Sequence, residues 1–292
     1  MTQSVLILGA SGRFGRNVSE AFQRADWHVR EFDRQKDDLL TAAKGVDVIV
    51  VGWNPAYPDW AAQLPALHDS VIKVARDTGA TVVVPGNVYV YGPDQSPVWS
   101  ASTPHLARNP LGLIRIDMER AYRESGVRTI LLRAGDFIDT QASGNWFDMI
   151  MTRKIASGIL RYPGRTDVPH AWAFLPDMAR AVVQLSEMRQ GLNNFEEVAF
   201  PGYTLTGHDM YQAIKDVVDR PVVCKPVNWW MFQILAPFWK MARCLLEMRY
   251  LWDTPHELSG ERFNVLLPDF VPTPLPTALV QSLPKDVAGE NA

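Results

Sequence analysis

The segment Val5-Leu-Ile-Leu-Gly-Ala-Ser-Gly-Arg-Phe-Gly15 constrains this chain more than any other. Four aliphatic residues run into three glycines, and an amphipathic pattern from Phe14 to Arg24 comes next. Such a run reads as a buried strand, a tight turn and a helix packed back on that strand. Glycines at 9, 12 and 15 give the turn its conformational freedom, bring an anion close to the backbone and let helix and strand approach each other. Free N–H groups at the helix start and the positive end of its dipole converge on one point, which suits a phosphate.

The rest of the first half repeats the same alternation. Strand patterns cover Val5 to Gly9, His28 to Asp33, Val46 to Gly52, Ala80 to Pro85 and Val127 to Arg133. Helical patterns cover Phe14 to Arg24, Ala61 to Thr78 and Leu111 to Ser125. Alternating elements of this kind predict an α/β fold, a Rossmann-type doubly wound parallel sheet. After Arg133 the regularity fades, and Asp177 opens a helix through Glu187. The expected division is a dinucleotide-binding domain over residues 1–190, with 134–172 contributing to the cleft, and a smaller C-terminal α+β substrate domain over 191–292. Within the latter, Thr206 and Asp209 form a capping pattern, and the four prolines between Leu267 and Pro276 predict an extended strap.

Composition removes several function classes. A formal charge of −3 and a pI near 6.1 provide no basic field for a nucleic acid. The two cysteines, Cys224 and Cys244, form no Cys-x-x-Cys pair, and the N-terminus has no signal-peptide pattern, so a reduced, cytoplasmic protein is expected. The apolar run Trp229 to Trp252 is interrupted by Lys240, Arg243, Glu247 and Arg249. Charges near a bilayer centre cost about 2.5 to 3.5 kcal/mol each, so the run is expected to be an amphipathic helix of a protein with no membrane partner.

Asp33 lies eighteen positions after Gly15, at the end of the second strand, where a carboxylate can accept hydrogen bonds from an adenosine ribose. That favours NAD. Arg13 and Arg34 could instead clamp a 2′-phosphate, so NADP stays open, with the balance toward NAD. The loop Gly52-Trp-Asn-Pro-Ala-Tyr-Pro-Asp-Trp60 comes after a strand end facing the cofactor and reads as a pocket wall.

Four anchors resemble the extended short-chain dehydrogenase/reductase superfamily, the NAD-dependent epimerase/dehydratase group and its atypical relatives. They are the glycine loop, Val88-Tyr-Val-Tyr-Gly-Pro93, Leu131-Leu-Arg-Ala-Gly-Asp136 and Phe174-Leu-Pro-Asp-Met-Ala-Arg180, and the resemblance covers nearly the whole chain. It implies cofactor contacts from Gly9, Ser11, Gly12, Arg13, Phe14, Gly15, Asp33, Arg34, Gly52, Trp53, Asn54, Arg115, Ala134 and Asp136. Asp38 and Leu39 resemble the family's adenine-contacting pair, although Asp38 serves equally well as a helix cap. The run from Asp33 to Val46 is too short for the extra strand and helix usual in the family.

The family's catalytic pattern fails here. Asn109-Pro-Leu-Gly-Leu-Ile-Arg115 aligns with the stretch carrying Tyr-x-x-x-Lys, so Leu111 takes the tyrosine position, Arg115 the lysine position, and Asn87 replaces the serine. Leucine exchanges no proton, and a guanidinium is a poor proton shuttle. Tyr89 or Tyr91 could present a substitute phenol, and Arg115 and Asn87 complete the candidate catalytic set. His105 and His170 border the cleft without partners at metal-ligand spacing, so no metal is expected. Two functions stay open: an NAD(P)-dependent epimerase-like protein or oxidoreductase acting on a small carbonyl or sugar-like substrate, and a catalytically silent NAD(P)-sensing regulatory protein. The family often dimerises through the two helices that here span Ala61 to Thr78 and Leu111 to Ser125, and a homodimer could form likewise through Leu64, Val71, Leu113 and Tyr122.

Overall fold

A computed structural model of the chain describes residues 3–288. The N-terminal part alternates β1 (Ser4–Leu8), α1 (Arg13–Arg24), β2 (His28–Phe32), α2 (Leu39–Ala43), β3 (Val48–Val51), α3 (Trp60–Thr78) and β4 (Thr81–Gly86). After the short β5 (Val98–Trp99) come α4 (Pro110–Glu124), β6 (Thr129–Arg133), β7 (Asp136–Ile138), β8 (Ile159–Tyr162), β9 (His170–Phe174), α5 (Leu175–Glu187) and β10 (Phe195–Ala199). Six of these strands form one parallel sheet in the order β10-β6-β4-β3-β1-β2.

The sheet is parallel because both of its faces are covered. Side chains alternate along β1, so Val5 and Ile7 meet Phe14, Val18 and Phe22 of α1 and Met178 and Val182 of α5. Leu6 and Leu8 face the other way, onto Val71 and Ala75 of α3 and Met118 and Tyr122 of α4. The connection from β2 to β3 holds only the single-turn α2, which is why β2 is the edge of the sheet, with mostly exposed or half-buried residues. Strand order reverses at β1, which has β2 on one side and β3 on the other, and a ligand cleft opens beyond the strand ends at such a switch point.

The remaining elements are β11 (Tyr203–Leu205), α6 (Gly207–Val217), β12 (Val223–Pro226), α7 (Trp229–Leu235), α8 (Lys240–Glu247), β13 (Glu257–Leu258), α9 (Glu261–Leu266) and α10 (Leu275–Ser282). Thr206 caps α6 in the expected reciprocal box with Asp209. This region shares a second core with β7, β8 and β9, built on Trp146, Phe147, Trp172, Phe174, Met210, Ile214, Trp252 and Leu279.

Two expectations about this half change. Residues beyond 190 do not all lie outside the sheet, because β10 completes it beside β6 with five parallel register pairs. Nor does Trp229 to Trp252 form one helix. Pro237, which cannot donate to the preceding turn, separates α7 from α8, and a 3-10 turn over Met248–Trp252 ends the run. Among the described residues, no helix is long and apolar enough to cross a membrane. Of the side chains expected at a dimer face, Leu64, Val71 and Tyr122 are buried within the chain, while Leu113 is 46% exposed.

Candidate active site and dinucleotide cradle

Gly9 turns the chain out of β1 with φ of +80°, a value L side chains rarely adopt. A Cβ on Gly15 would lie 2.2 Å from the Gly9 carbonyl oxygen, so this glycine sets the approach of α1 to the strand. Gly12 opens α1, which has no side-chain cap and no acidic residue in its first turn. That uncompensated helix start, fronted by side-chain-free backbone, fits the pyrophosphate of a dinucleotide. Phe14 is 5% exposed and belongs to the core beneath α1, whereas Ser11 is exposed at the turn.

Arg13 reaches across the cleft and donates to the Gly144 carbonyl at 2.8 Å, which fastens the 140s loop to the glycine turn. Arg16 makes two 2.8 Å bonds to the fully buried Asp139 carboxylate, and Asn17 adds a third at 3.1 Å. Asp33 accepts from the Gln35 N–H and pairs with Lys36 at 2.9 Å, and Lys36 holds its carboxyl below the usual range. Arg34 lies 5.9 Å from the centre of the Trp53 ring. Asp38 accepts from the Thr41 N–H at 2.9 Å and so caps α2, with half-buried Leu39 as its first residue.

The end of β3 closes the other wall. A Cβ on Gly52 would meet the Leu8 carbonyl at 2.7 Å, and Trp53 lies against Gly9 and edge-on to Phe32. Asn54 accepts from Arg115 Nη2 at 2.8 Å. The Arg115 guanidinium also stacks 4.0 Å from the centre of the Trp60 ring, and burial lowers its pKa to about 10, so it remains charged at neutral pH. Leu111 is 3% exposed and packs in the cluster of Trp60, Tyr89 and Tyr91.

The two tyrosines of the Val88–Pro93 turn differ sharply. Tyr91 is fully buried, its hydroxyl donates to the Ser100 carbonyl at 3.2 Å, and burial raises its pKa to about 12. Tyr89 shares a 2.6 Å hydrogen bond with the hydroxyl of Tyr57, which comes from the loop after β3. Burial raises the pKa of both phenols; the neighbouring Asp136 adds to the rise, and the Arg115 charge opposes it. Asn87 uses its side chain to accept from the Tyr89 N–H at 3.1 Å, fixing the start of that turn.

Beyond β6, the Ala134 N–H donates to Gly86, and Asp136 pairs with His170 Nε2 at 2.7 Å. His170 is stacked on Trp252 at 4.2 Å and meets His256 at 4.4 Å, so its ring is fixed from two sides. His105 lies elsewhere, 3.4 Å from Arg133. Among the described residues, one cluster has metal-ligating types in reach of one another, His105, Glu119 and Glu197. Arg133 fills it, bonding both carboxylates at 2.6 to 3.1 Å. A separate cavity of about 320 Å³, lined by Tyr162, His208, Tyr211, Cys224 and Lys225, contains none of the expected contacts.

Sequence reasoning missed Tyr57 as a chemical group, although its loop reads as a pocket wall. It also treated Asp136 and His170 separately, because they are 34 positions apart and meet only when β7 pairs with β9.

No family model matches the chain, and a search of curated proteins returns no match. Solved structures do match over nearly the full length. MoeE5 in complex with UDP-glucose and NAD has a TM-score of 0.71 at 15% identity, over 96% of this chain and 97% of that one. A GalE-like L-threonine dehydrogenase from Cupriavidus necator has a TM-score of 0.73 at 16% identity, over 97% and 99%. UDP-glucuronic acid 4-epimerase from Bacillus cereus, in complex with NAD, has a TM-score of 0.72 at 12% identity, over 96% and 95%. At these identities the likeness is one of fold, the Rossmann-type α/β fold that the chain shares with these structures over nearly all of its length.

Proposed function

We propose that this protein binds a nicotinamide dinucleotide on the Gly9–Gly15 turn and reduces a small carbonyl or sugar-like substrate, with Tyr89 as the proton donor. The observation that carries this reading is the 2.6 Å Tyr57–Tyr89 hydroxyl pair, which stands where Leu111 supplies no acid. A dinucleotide held by the Gly9–Gly15 turn would supply the hydride that reduction of a carbonyl requires. Tyr89 gives its phenolic proton to the carbonyl oxygen, Tyr57 replaces that proton through the shared hydrogen bond, and the half-buried Tyr57 takes a proton back from water to close the cycle. A phenol whose pKa burial has raised stays protonated at neutral pH, so the pair starts with a proton to give to the oxygen of a carbonyl being reduced and not as the base that oxidation of an alcohol requires. Asp136, held by His170, is the group we assign to substrate positioning. Asp33 supports NAD, while Lys36 and Arg34 beside it support a 2′-phosphate, and NAD is our first choice.

The test starts from nucleotide-free protein titrated with NADH and NADPH, followed by tryptophan quenching and energy transfer to the nicotinamide. Micromolar binding of either is expected. Tyr89→Phe should keep that affinity and lower turnover of a carbonyl panel by roughly 10²- to 10⁴-fold. Turnover unchanged in Tyr89→Phe would remove the phenol from the reaction. The second reading, a sensor that binds without turnover, draws on the burial of Leu111 and the engagement of Arg115 with Asn54 and Trp60. Tight binding with no oxidation of bound NADH by any carbonyl of the panel would select it.

A further inference from the structure

The break at Pro237 leaves the apolar side of this segment facing outward. Trp230, Ile234 and Phe238 recur at spacings of four and are 59%, 62% and 92% exposed. Met231, Leu235 and Trp239 form a second ridge beside them, 47%, 42% and 44% exposed. The base of this face is rigid, because Trp229 is buried, donates from Nε1 to the Pro163 carbonyl at 2.6 Å and carries Arg249 over its ring. Six neighbouring large apolar side chains held outward on a fixed support form the kind of patch that marks an interaction surface.

The charge around the patch identifies the partner's chemistry. From Pro221 to Leu246 the chain has Lys225, Lys240 and Arg243 and no aspartate or glutamate, while the acidic residues on or beside α8 are Glu247, engaged by Asn109 and the Leu111 N–H, and Asp59 of the turn packed against that helix. All three cations are exposed. Protein interfaces are depleted of lysine and seat their aromatic anchors in matching pockets. A ring as exposed as Phe238 needs no pocket in a bilayer, where acyl chains close around whatever projects. Tryptophans suit the headgroup boundary, and lysine and arginine suit anionic headgroups.

We propose that α7, the turn after it and the start of α8 form a monotopic docking face for anionic lipid bilayers. Ile234 and Phe238 enter the acyl boundary, Trp230 and Trp239 lie at headgroup level, and Lys225, Lys240 and Arg243 meet the lipid phosphates. The face is independent of the dinucleotide turn, so its test needs no cofactor.

The full chain is floated with vesicles of phosphatidylcholine alone and of phosphatidylcholine mixed with phosphatidylglycerol. The mixed vesicles should carry the protein, with a bound fraction that falls as salt is raised. Ile234→Glu combined with Phe238→Glu should reduce partitioning more than about tenfold. Lys240→Gln and Arg243→Gln should each lower it about fivefold. Lipids brominated along their acyl chains should quench tryptophan fluorescence of the unaltered protein, a readout that needs no variant to fold. Failure to float with the mixed vesicles, equal retention on both vesicle types, or retention unchanged by the double variant would each overturn the proposal. So would a lipid-free dimer, seen by light scattering, that the double variant dissolves, because the face would then belong to a second copy of the chain.

Discussion

Arg133 is the one arginine among the described residues with no exposed surface, and it is tolerable there because Glu119 and Glu197 bond it from two sides. Burial opposes its charge, but the two carboxylates outweigh that and hold its pKa well above the ordinary arginine value. Arg133→Met leaves the buried Glu119 without a cation and Glu197 with only the half-exposed Arg123, so it should cost roughly 3 to 5 kcal/mol in urea unfolding. Adding Glu119→Gln and Glu197→Gln to that variant should recover most of the loss, since no buried charge then lacks a partner. A second residue-scale prediction concerns acid. His68 is buried with its pKa lowered to about 3, chiefly by burial and then by Arg115, and burial also lowers that of His256 well below the usual range. In the unfolded chain both titrate near 6.5. Between that value and about 3 the unfolded state binds protons that the folded state refuses, so stability is full above roughly pH 6.5 and falls as pH falls. His68 should contribute a slope of about 1 kcal/mol per pH unit across that window, and His256 adds to it with the same sign. His68→Gln, which keeps a partner for the Tyr122 hydroxyl now 2.9 Å from Nδ1, should flatten the slope measured by urea unfolding between pH 7 and 5. Neither cluster was legible in the linear chain. Arg133 stands out in the Leu131–Asp136 segment, but Glu197 is 64 positions away and meets it only through the pairing of β10 with β6.

The elements of the sheet were legible because their periodicity and their glycines agree. The expected helix from Phe14 matches α1, the one from Ala61 matches α3 and the one from Leu111 matches α4, each within one residue at both ends. The glycine turn can be separated further by substitution. Gly15→Ala puts a methyl into the Gly9 backbone at 2.2 Å, where nothing flexible can yield, so it should push α1 off β1 and cost about 1 to 3 kcal/mol of stability. Gly12→Ala meets the Gly9 carbonyl at 3.2 Å and the Gly52 carbonyl at 3.8 Å and should leave the melting temperature nearly unchanged. Its methyl intrudes on the side where we place the pyrophosphate, so dinucleotide affinity should fall at least about tenfold by the fluorescence titration. Equal loss of stability in both variants would mean that Gly12 serves packing alone. Where element patterns misled, the cause was a residue that periodicity ignores. The apolar spacing from Trp229 to Trp252 is helical throughout, and Pro237 alone divides it and turns its apolar side chains outward.

At the scale of the whole molecule, the dinucleotide turn and the C-terminal core are joined through α1. Arg16 and Asn17 hold the buried Asp139, and Arg13 holds Gly144, so four hydrogen bonds tie the first helix to the segment that continues into the second core. The linear chain hides this, because the partners are separated by more than 120 residues and Asp139 comes after a strand too short to read by pattern. A ligand at the N-terminus of α1 should therefore be felt across the protein. At a free concentration roughly 100 times Kd, binding contributes about 2.7 kcal/mol. For a chain of this length that raises the melting temperature by roughly 4 to 5 °C. Asp139→Asn removes a buried negative charge from beneath Arg16 and should cost roughly 1.5 to 3 kcal/mol. Although Asp139 would touch no ligand, the loosened α1 should also weaken dinucleotide affinity by roughly 2- to 30-fold. Thermal melts with and without NADH, paired with the titration, measure both effects in one variant. A lowered melting temperature with unchanged affinity would show that Asp139 holds the two cores together without setting the pose of α1, and the coupling would then have to run through Arg13 and Gly144.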